Sequence, residues 1–243
     1  SAVSQNWAKR PASRGMGRET KRQPGRHEAR QSNRYILTVN TVVVVRVWMP
    51  DRPGALGQVA SRIGAVRGDV LAIEILEQGA GRVIDELTVA LPDEGLASLL
   101  TAEIDAVDGV SVENIRPVDI DRVDPNLAAL AVGAALAECP KEDRLDVLCT
   151  GLMRIVEADW VAALGVDGAV MQLGEAPDLS WLIAFLAGSE HLDEVDDAAP
   201  SDLVWAHLLG AGLNVVAGRS GRPIHERERI RVNLLGRLAD ALI

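Results

Sequence analysis

The sequence has few cysteines and no apolar run long enough to cross a bilayer. Its 243 residues include two cysteines, Cys139 and Cys149. Their spacing fits neither a disulfide framework nor a zinc site, so we expect reduced, buried thiols. A membrane-spanning helix needs roughly 20 consecutive apolar residues, so we expect no membrane association. The basic N-terminus lacks the apolar core of a signal peptide, and we therefore expect a cytoplasmic protein.

Recognisable catalytic and cofactor-binding motifs are also absent. The sequence contains no Walker loop, no dinucleotide-binding glycine pattern and no zinc-ligand spacing. Its four histidines accompany no nucleophile motif; they are His27, His191, His207 and His225. Cys149 follows the helical spacing of nearby leucines, which is typical of a core residue. We therefore expect no enzymatic activity, no cofactor and no bound metal.

Charge is distributed unevenly along the chain. Residues 1–34 hold nine Lys or Arg against two Glu, whereas the remainder holds 16 basic against 33 acidic residues. The basic segment has one large apolar residue, Trp7, and we expect a disordered tail. The alternative is a basic arm that contacts nucleic acid or membrane. The net charge of −10 argues against a general nucleic-acid binder.

Residues 39–118 show a regular alternation of strand and helix signals. The β-branched run at 41–47 favours a buried strand, and apolar residues at helical spacing follow from Leu56. A third strand has apolar residues on one face, interrupted by Asp85. The predicted order is strand 40–48, helix 54–67, strand 69–77, hairpin turn 78–81, strand 82–91, helix 92–109 and strand 110–115. This βαββαβ order predicts a ferredoxin-like α+β fold with a four-stranded antiparallel sheet and both helices on one face.

The segment Asp51-Arg52-Pro53-Gly54-Ala55-Leu56 joins the first strand to the first helix. Pro53 suits the first turn of a helix, and Gly54 allows the backbone to turn sharply. The unpaired N–H groups at such a helix start favour a carboxylate or phosphate. The alternative is a turn that only closes the fold, with Asp51 capping the helix.

The element order, this turn and the segment Gly68-Asp69-Val70-Leu71-Ala72-Ile73 resemble the ACT domain family over residues 40–118. The resemblance implies a regulatory module that binds an amino acid or similar small ligand, usually between paired copies. It implies ligand contacts at Asp51, Pro53, Gly54, Ala55 and Leu56, with Asp51 holding the ligand's ammonium group. A second implied contact lies at Asp69 and Val70. Many members have an Asn where this chain has Val70, which implies an apolar ligand or none.

Residues 127–243 are predicted to form a second α/β domain after a polar linker at 119–126. Asp167-Gly168 is a hairpin signal, and a terminal helix from about His225 is predicted to have one apolar face formed by Ile230, Leu234, Leu235, Leu238 and Leu242. The predicted elements are helices 127–136 and 141–158, strands 159–165 and 169–173, helix 179–187, strands 202–208 and 213–219, and the terminal helix. This order and the segment Gly218-Arg219-Ser220-Gly221-Arg222-Pro223 are similar to the GAF fold of small-molecule sensors. Acidic residues and His191 at 190–197 favour a solvated loop over a metal site.

Together these features predict a non-catalytic regulatory protein with an ACT-like sensing domain and a GAF-like domain, assembled as a homodimer. An amino acid bound at the turn is expected to shift the dimer geometry, and a protein partner is expected to read that shift. One alternative is a regulatory subunit of a biosynthetic enzyme. Another is a dimerisation scaffold that binds no ligand.

Overall fold

The computed structural model describes residues 41–189 and 201–243. The expected basic tail at 1–34 and the acidic loop at 190–197 lie outside these residues. Within them, no helix has both the length and the apolarity required to cross a membrane.

The N-terminal half is an antiparallel four-stranded sheet with two helices. Its elements follow the predicted order, with boundaries a few residues from those expected. They are β1 (Thr41–Pro50), α1 (Ala55–Ala65), β2 (Asp69–Gly79), β3 (Arg82–Leu91), α2 (Ala97–Asp105) and β4 (Ser111–Val118). The strand order is β2-β3-β1-β4. Ala80 and Gly81, with φ angles of 49° and 74°, form the tight turn between β2 and β3.

Alternation along β1 gives this sheet two buried faces. Val43, Val45 and Val47 pack against α1 and α2 in one apolar core. Arg46 faces the other way, 2% exposed, and donates hydrogen bonds to the C-terminal half at the Pro223 carbonyl and Glu228. A strand with both faces covered requires apolar residues at almost every position, which explains the β-branched run.

Strand β2 lies at an edge of the sheet, and within the described residues it pairs only with β3. Its register shifts between Val70 and Ala72 and again between Ile75 and Glu77. Leu71, Ile73 and Ile75 are each about half exposed. The edge strand therefore presents apolar side chains that neither helix covers.

The C-terminal half is a second antiparallel sheet between helices. Its elements are α3 (Pro125–Glu138), α4 (Arg144–Ile155), β5 (Trp160–Gly165), β6 (Gly168–Gly174), α5 (Leu179–Ser189), β7 (Leu203–Leu208), β8 (Leu213–Gly218) and α6 (Glu226–Asp240). The strand order is β6-β5-β8-β7. One face packs with α3, α4 and α6, and the other packs with Leu182 and Leu186 of α5. Asp124 begins α3 by accepting hydrogen bonds from the N–H groups of Asn126 and Leu127.

Both cysteines are free thiols, as expected, but only one is fully buried. Cys149 belongs to the core of the C-terminal half, and Cys139 is half-buried. Burial, with a smaller contribution from Asp146, raises the pKa of the Cys149 thiol to about 12. Cys149 therefore remains a protonated core residue at neutral pH.

Candidate ligand site

The turn between β1 and α1 is an exposed backbone surface at the N-terminus of a helix. Gly54 has a φ angle of +88° and no side chain caps the helix. The first helical hydrogen bond joins the Gln58 N–H to the Gly54 carbonyl. The N–H groups of Leu56 and Gly57 precede that bond, so they have no partner within the helix. These two groups and the helix dipole suit a carboxylate.

Asp51 connects this turn to the β2–β3 hairpin. Its N–H donates to the Gly81 carbonyl at 3.0 Å, and its Oδ2 accepts from Gln78 Nε2 at 2.7 Å. No helix-capping bond from Asp51 is present among the described residues, because its carboxylate turns towards β2. The Asp51 carboxylate is thus held near the N-terminus of α1 without capping the helix.

Asp85 is an acidic residue buried on the helix-covered face of the sheet. It pairs across β3 with Val47 on one side and Ile75 on the other, and it is 3% exposed. Its Oδ1 has no hydrogen-bond partner in the described chain. Burial, together with the negative charge of Asp51, raises the pKa of Asp85. A buried carboxyl oxygen without a partner is costly, and a ligand with a positive, hydrogen-bonding group would remove that cost.

Asp69 and Val70, the second predicted contact, lie at the far end of the sheet from the turn. They pair with Ala90 and Val89, whereas the turn adjoins Arg82 at the other end of β3. Eight residues of strand separate Arg82 from Ala90, which corresponds to roughly 25 Å. A single chain therefore brings Asp51, Pro53, Gly54, Ala55 and Leu56 together, but it does not bring Asp69 and Val70 to them.

A network of buried charges joins the two halves on the opposite face of the same sheet. Glu228 accepts from Arg46 at 2.8 Å and from both terminal nitrogens of Arg219 at 2.8 Å. Arg46 also donates to Glu86 at 2.8 Å. Further ion pairs extend the network; they join Arg116 and Arg122 to Glu86 and Glu157, and Arg222 to Glu157.

His225 lies beside this network and joins α6 to the edges of the first sheet. Its Nδ1 lies 3.1 Å from Glu77 on β2, and its Nε2 lies 2.8 Å from Glu113 on β4. A carboxylate thus lies within hydrogen-bond distance of each ring nitrogen. Burial alone would raise the pKa of Glu113, but the hydrogen bond and charge of His225 lower it.

The sequence analysis assigned no role to Asp85 or Arg46, although the sequence contains a signal for each. Asp85 interrupts the apolar face of β3, and Arg46 interrupts the β-branched run of β1. A charge at a buried strand position requires a partner or a shifted pKa. The two charges are visible in the sequence, but only the fold shows that Arg46 has carboxylate partners and that one Asp85 oxygen has no partner within residues 41–189 and 201–243.

No family model matches the chain, and no curated protein matches it. Among solved structures it is similar to the ACT domain of a GTP pyrophosphokinase from Chlorobium tepidum, with 14% identity and a TM-score of 0.27 over 34% of this chain and 91% of that one. It is also similar to a formyltetrahydrofolate deformylase from Pseudomonas putida, with 15% identity and a TM-score of 0.26 over 40% of this chain and 39% of that one. An unknown protein from Galdieria sulphuraria has 16% identity and a TM-score of 0.31, over 48% and 92% of the two chains. None of the three is described as a GAF domain, and at these values they assign the chain to no family.

Proposed function

We propose that this chain is a non-catalytic regulatory protein that binds an amino acid at the turn before α1. The observation that carries the proposal is the position of Asp85. Its partnerless buried carboxyl oxygen belongs to the same acidic pair as Asp51, next to the open N–H groups of Leu56 and Gly57. Amide donors beside carboxylates complement the two charges of an amino acid.

In this proposal the carboxylate and the ammonium of the amino acid bind different groups of the protein. The ligand carboxylate accepts from the N–H groups at the helix start, where Gly54 leaves the backbone accessible. The ligand ammonium lies between Asp51 and Asp85 and donates to the Asp85 oxygen, which is buried, so the side chains around Asp85 must move apart to admit the ligand. Ile75, exposed beside Asp85 on the edge strand, offers an apolar surface to the ligand's side chain.

A second copy of the chain would complete this site. Two β2 edges related by a two-fold axis run antiparallel, and an axis placed at Glu74, the middle of the strand, would set residues 69 and 70 of one copy opposite Gly79 and Gln78 of the other. Gln78 holds Asp51, so Asp69 and Val70 of the second copy would lie next to the turn. The exposed Leu71, Ile73 and Ile75 would then become buried between the copies.

The C-terminal half is the proposed reader of this assembly, and its GAF-like assignment remains part of the proposal. Arg46 and Glu228 fix it to β1, and His225 fixes it to β2 and β4. Suppose that the paired β2 edges exchange between two geometries. A ligand that binds one geometry more tightly would shift the equilibrium towards it by its differential affinity, and these contacts would carry the shift to the C-terminal half. A protein partner that binds one state would receive the signal.

Two substitutions test the proposal by calorimetric titration with the amino acid that gives the largest thermal shift. Asp85→Asn should abolish or strongly weaken binding, because the amide cannot hold an ammonium group as a carboxylate does. Its free energy of unfolding at neutral pH should be unchanged or higher, since a neutral amide is less costly to bury than a carboxylate. Asp85→Asn that binds with wild-type affinity would contradict the site.

Gly54→Val provides a second variant with a matched control. Gly54 and Gly212 both have positive φ angles, and a Cβ at either position meets no other atom within 4 Å. The control is Gly212→Val. Valine at either position strains the backbone to a similar degree, but only Gly54→Val should prevent binding. If no amino acid stabilises the wild-type protein, the scaffold without a ligand becomes the better account.

A further inference from the structure

A second cavity lies at the junction of the two halves, away from the turn. It has a volume of about 630 Å³, within the range of small-molecule sites. The end of β4, residues 119–125 and helices α3 and α4 form its walls. Arg116, Arg122 and Glu157 line it, with Arg154 and the exposed Asp119 and Asp121.

The charge network that borders this cavity has an excess of positive charge. It connects five arginines, Arg46, Arg116, Arg122, Arg219 and Arg222, with only three carboxylates, Glu86, Glu157 and Glu228. Burying unbalanced charge is unfavourable. Asp119 and Asp121 line the same cavity and are exposed, as Arg154 is, so solvent screens all three, whereas Arg46 and Arg219 are buried.

The hydrogen bonds of the network show the same imbalance. Arg116 Nη1 is buried and has no partner among the described residues. Glu157 is shared by three arginines, Arg116 at 2.7 Å, Arg222 at 2.7 Å and Arg122 at 3.2 Å, and Glu86 is likewise shared by Arg46, Arg116 and Arg122. Glu157 has a φ angle of +49°, a strained conformation for a residue other than glycine. Arg154 is exposed at the same cavity and makes no ion pair within the described chain.

We propose that this junction cavity binds a small organic oxyanion, with a carboxylate or phosphate head and an apolar body. The head would bind Arg122 and Arg154, whose planar guanidinium groups match the oxygens of either anion. It would also offset part of the excess charge around Arg116. The apolar body would pack against Val118, Val123 and Ile155, which line the same cavity.

This site would lie where it can influence both halves. Arg122 belongs to the segment between β4 and α3 and binds Glu86 on β3 as well as Glu157 after α4. An anion that engages Arg122 therefore contacts a residue bonded to each half. The proposal is independent of amino-acid binding at the turn, because the two sites share no residue.

Isothermal titration with hexanoate and hexyl phosphate, at constant ionic strength in chloride buffer, tests this proposal. Arg122→Gln and Arg154→Gln should each weaken binding by about tenfold or more, as expected for loss of a charge-assisted hydrogen bond. Arg237→Gln is the matched control, because Arg154 and Arg237 are both exposed arginines in the last turn of a helix. It should bind like the wild type, and so should Gly54→Val.

The relative affinities of the two probes identify the preferred head group. Absence of saturable binding of both probes by about 10 mM would overturn the proposal. Equal affinity in the wild type, Arg122→Gln and Arg154→Gln would overturn it as well. Should Arg122→Gln fail to fold, Arg154→Gln still tests the proposal, because Arg154 is exposed and makes no ion pair with the residues that the structure describes.

Discussion

Glu228 is the residue on which the buried charges between the two halves converge. It accepts hydrogen bonds from Arg46 and Arg219, and its Oε2 also accepts from the His225 N–H at 3.0 Å. Arg46 and Arg219 are 2% exposed. Burial alone would raise the pKa of Glu228, but the positive charge of Arg46 and the hydrogen bonds and charge of Arg219 lower it to about 2.

Glu228→Gln should be strongly destabilising, because it leaves two buried guanidinium groups without their shared carboxylate. Breaking a buried ion pair by removing one partner costs about 3–5 kcal/mol. Urea denaturation measures the change in the free energy of unfolding. Glu103→Gln is the control, since Glu103 pairs with the exposed Arg62 on the surface, where an ion pair contributes about 0–1 kcal/mol. Equal losses in the two variants would contradict the role of Glu228.

The low pKa of Glu157 predicts a loss of stability in acid. Burial would raise this pKa, but the hydrogen bonds and charges of Arg116, Arg222 and Arg122 lower it from 4.5 to about 2. A carboxyl with a lowered folded-state pKa stabilises the protein above its unfolded-state pKa and loses that effect as the pH falls through its folded-state pKa. The wild type should therefore lose stability between about pH 4.5 and pH 2, and Glu157→Gln should show a shallower dependence in that window. Parallel curves for the two proteins would be the contrary result.

Helix α6 shows how one element combines a buried and an exposed apolar face. The sequence predicts one apolar face formed by Ile230, Leu234, Leu235, Leu238 and Leu242, but in the structure Leu235 is buried while Ile230, Leu234 and Leu238 are exposed. Leu235 is 5% exposed in the core with Val232 and Ala239, whereas Leu234 is 55% exposed. The correct face could not be chosen from periodicity alone, because Arg231 is buried by pairing with Glu74.

These two neighbouring leucines give a direct test of that correction. Leu235→Ala should lower the free energy of unfolding by about 2–5 kcal/mol, as expected when a buried leucine is truncated. Leu234→Ala should change it by at most about 0.5 kcal/mol in the monomer. Chemical denaturation of both variants measures the difference. A larger loss for Leu234→Ala would restore the original assignment of faces.

The elements of the N-terminal half were predictable because their signals are local. The β-branched residues of β1, the Ala80-Gly81 turn and the Pro53-Gly54 helix start each specify their own backbone conformation. The site was only partly predictable. The sequence predicts the role of Gly54 from its position in the turn. Whether the Asp85 oxygen has a hydrogen-bond partner depends on the side chains packed around it, which the sequence does not show. The carboxylates around Arg46 come from residues up to 182 positions away, so no local pattern reveals them.

At the scale of the whole molecule, the proposed amino-acid site would be completed by a second copy joined along β2. Ile73→Lys should therefore convert a dimer to a monomer and weaken amino-acid binding at the same time, because Asp69 and Val70 of the second copy are lost from the site. Light scattering after size-exclusion chromatography measures the assembly. Leu209→Lys, at a position 84% exposed outside β2, should change neither property. A wild-type protein that is monomeric with ligand bound would contradict the paired site.

NMR mapping of backbone amides would show directly whether an amino acid binds at the turn before α1. Amino acids from the full set of twenty would be added to isotope-labelled protein. The account predicts that at least one of them shifts the amide signals of Leu56 and Gly57 together with those of Gln78 and Asp85. It also predicts shifts at Asp69 and Val70 if the copies pair along β2. No response from any of the twenty, or shifts confined to residues remote from this turn, would contradict the account.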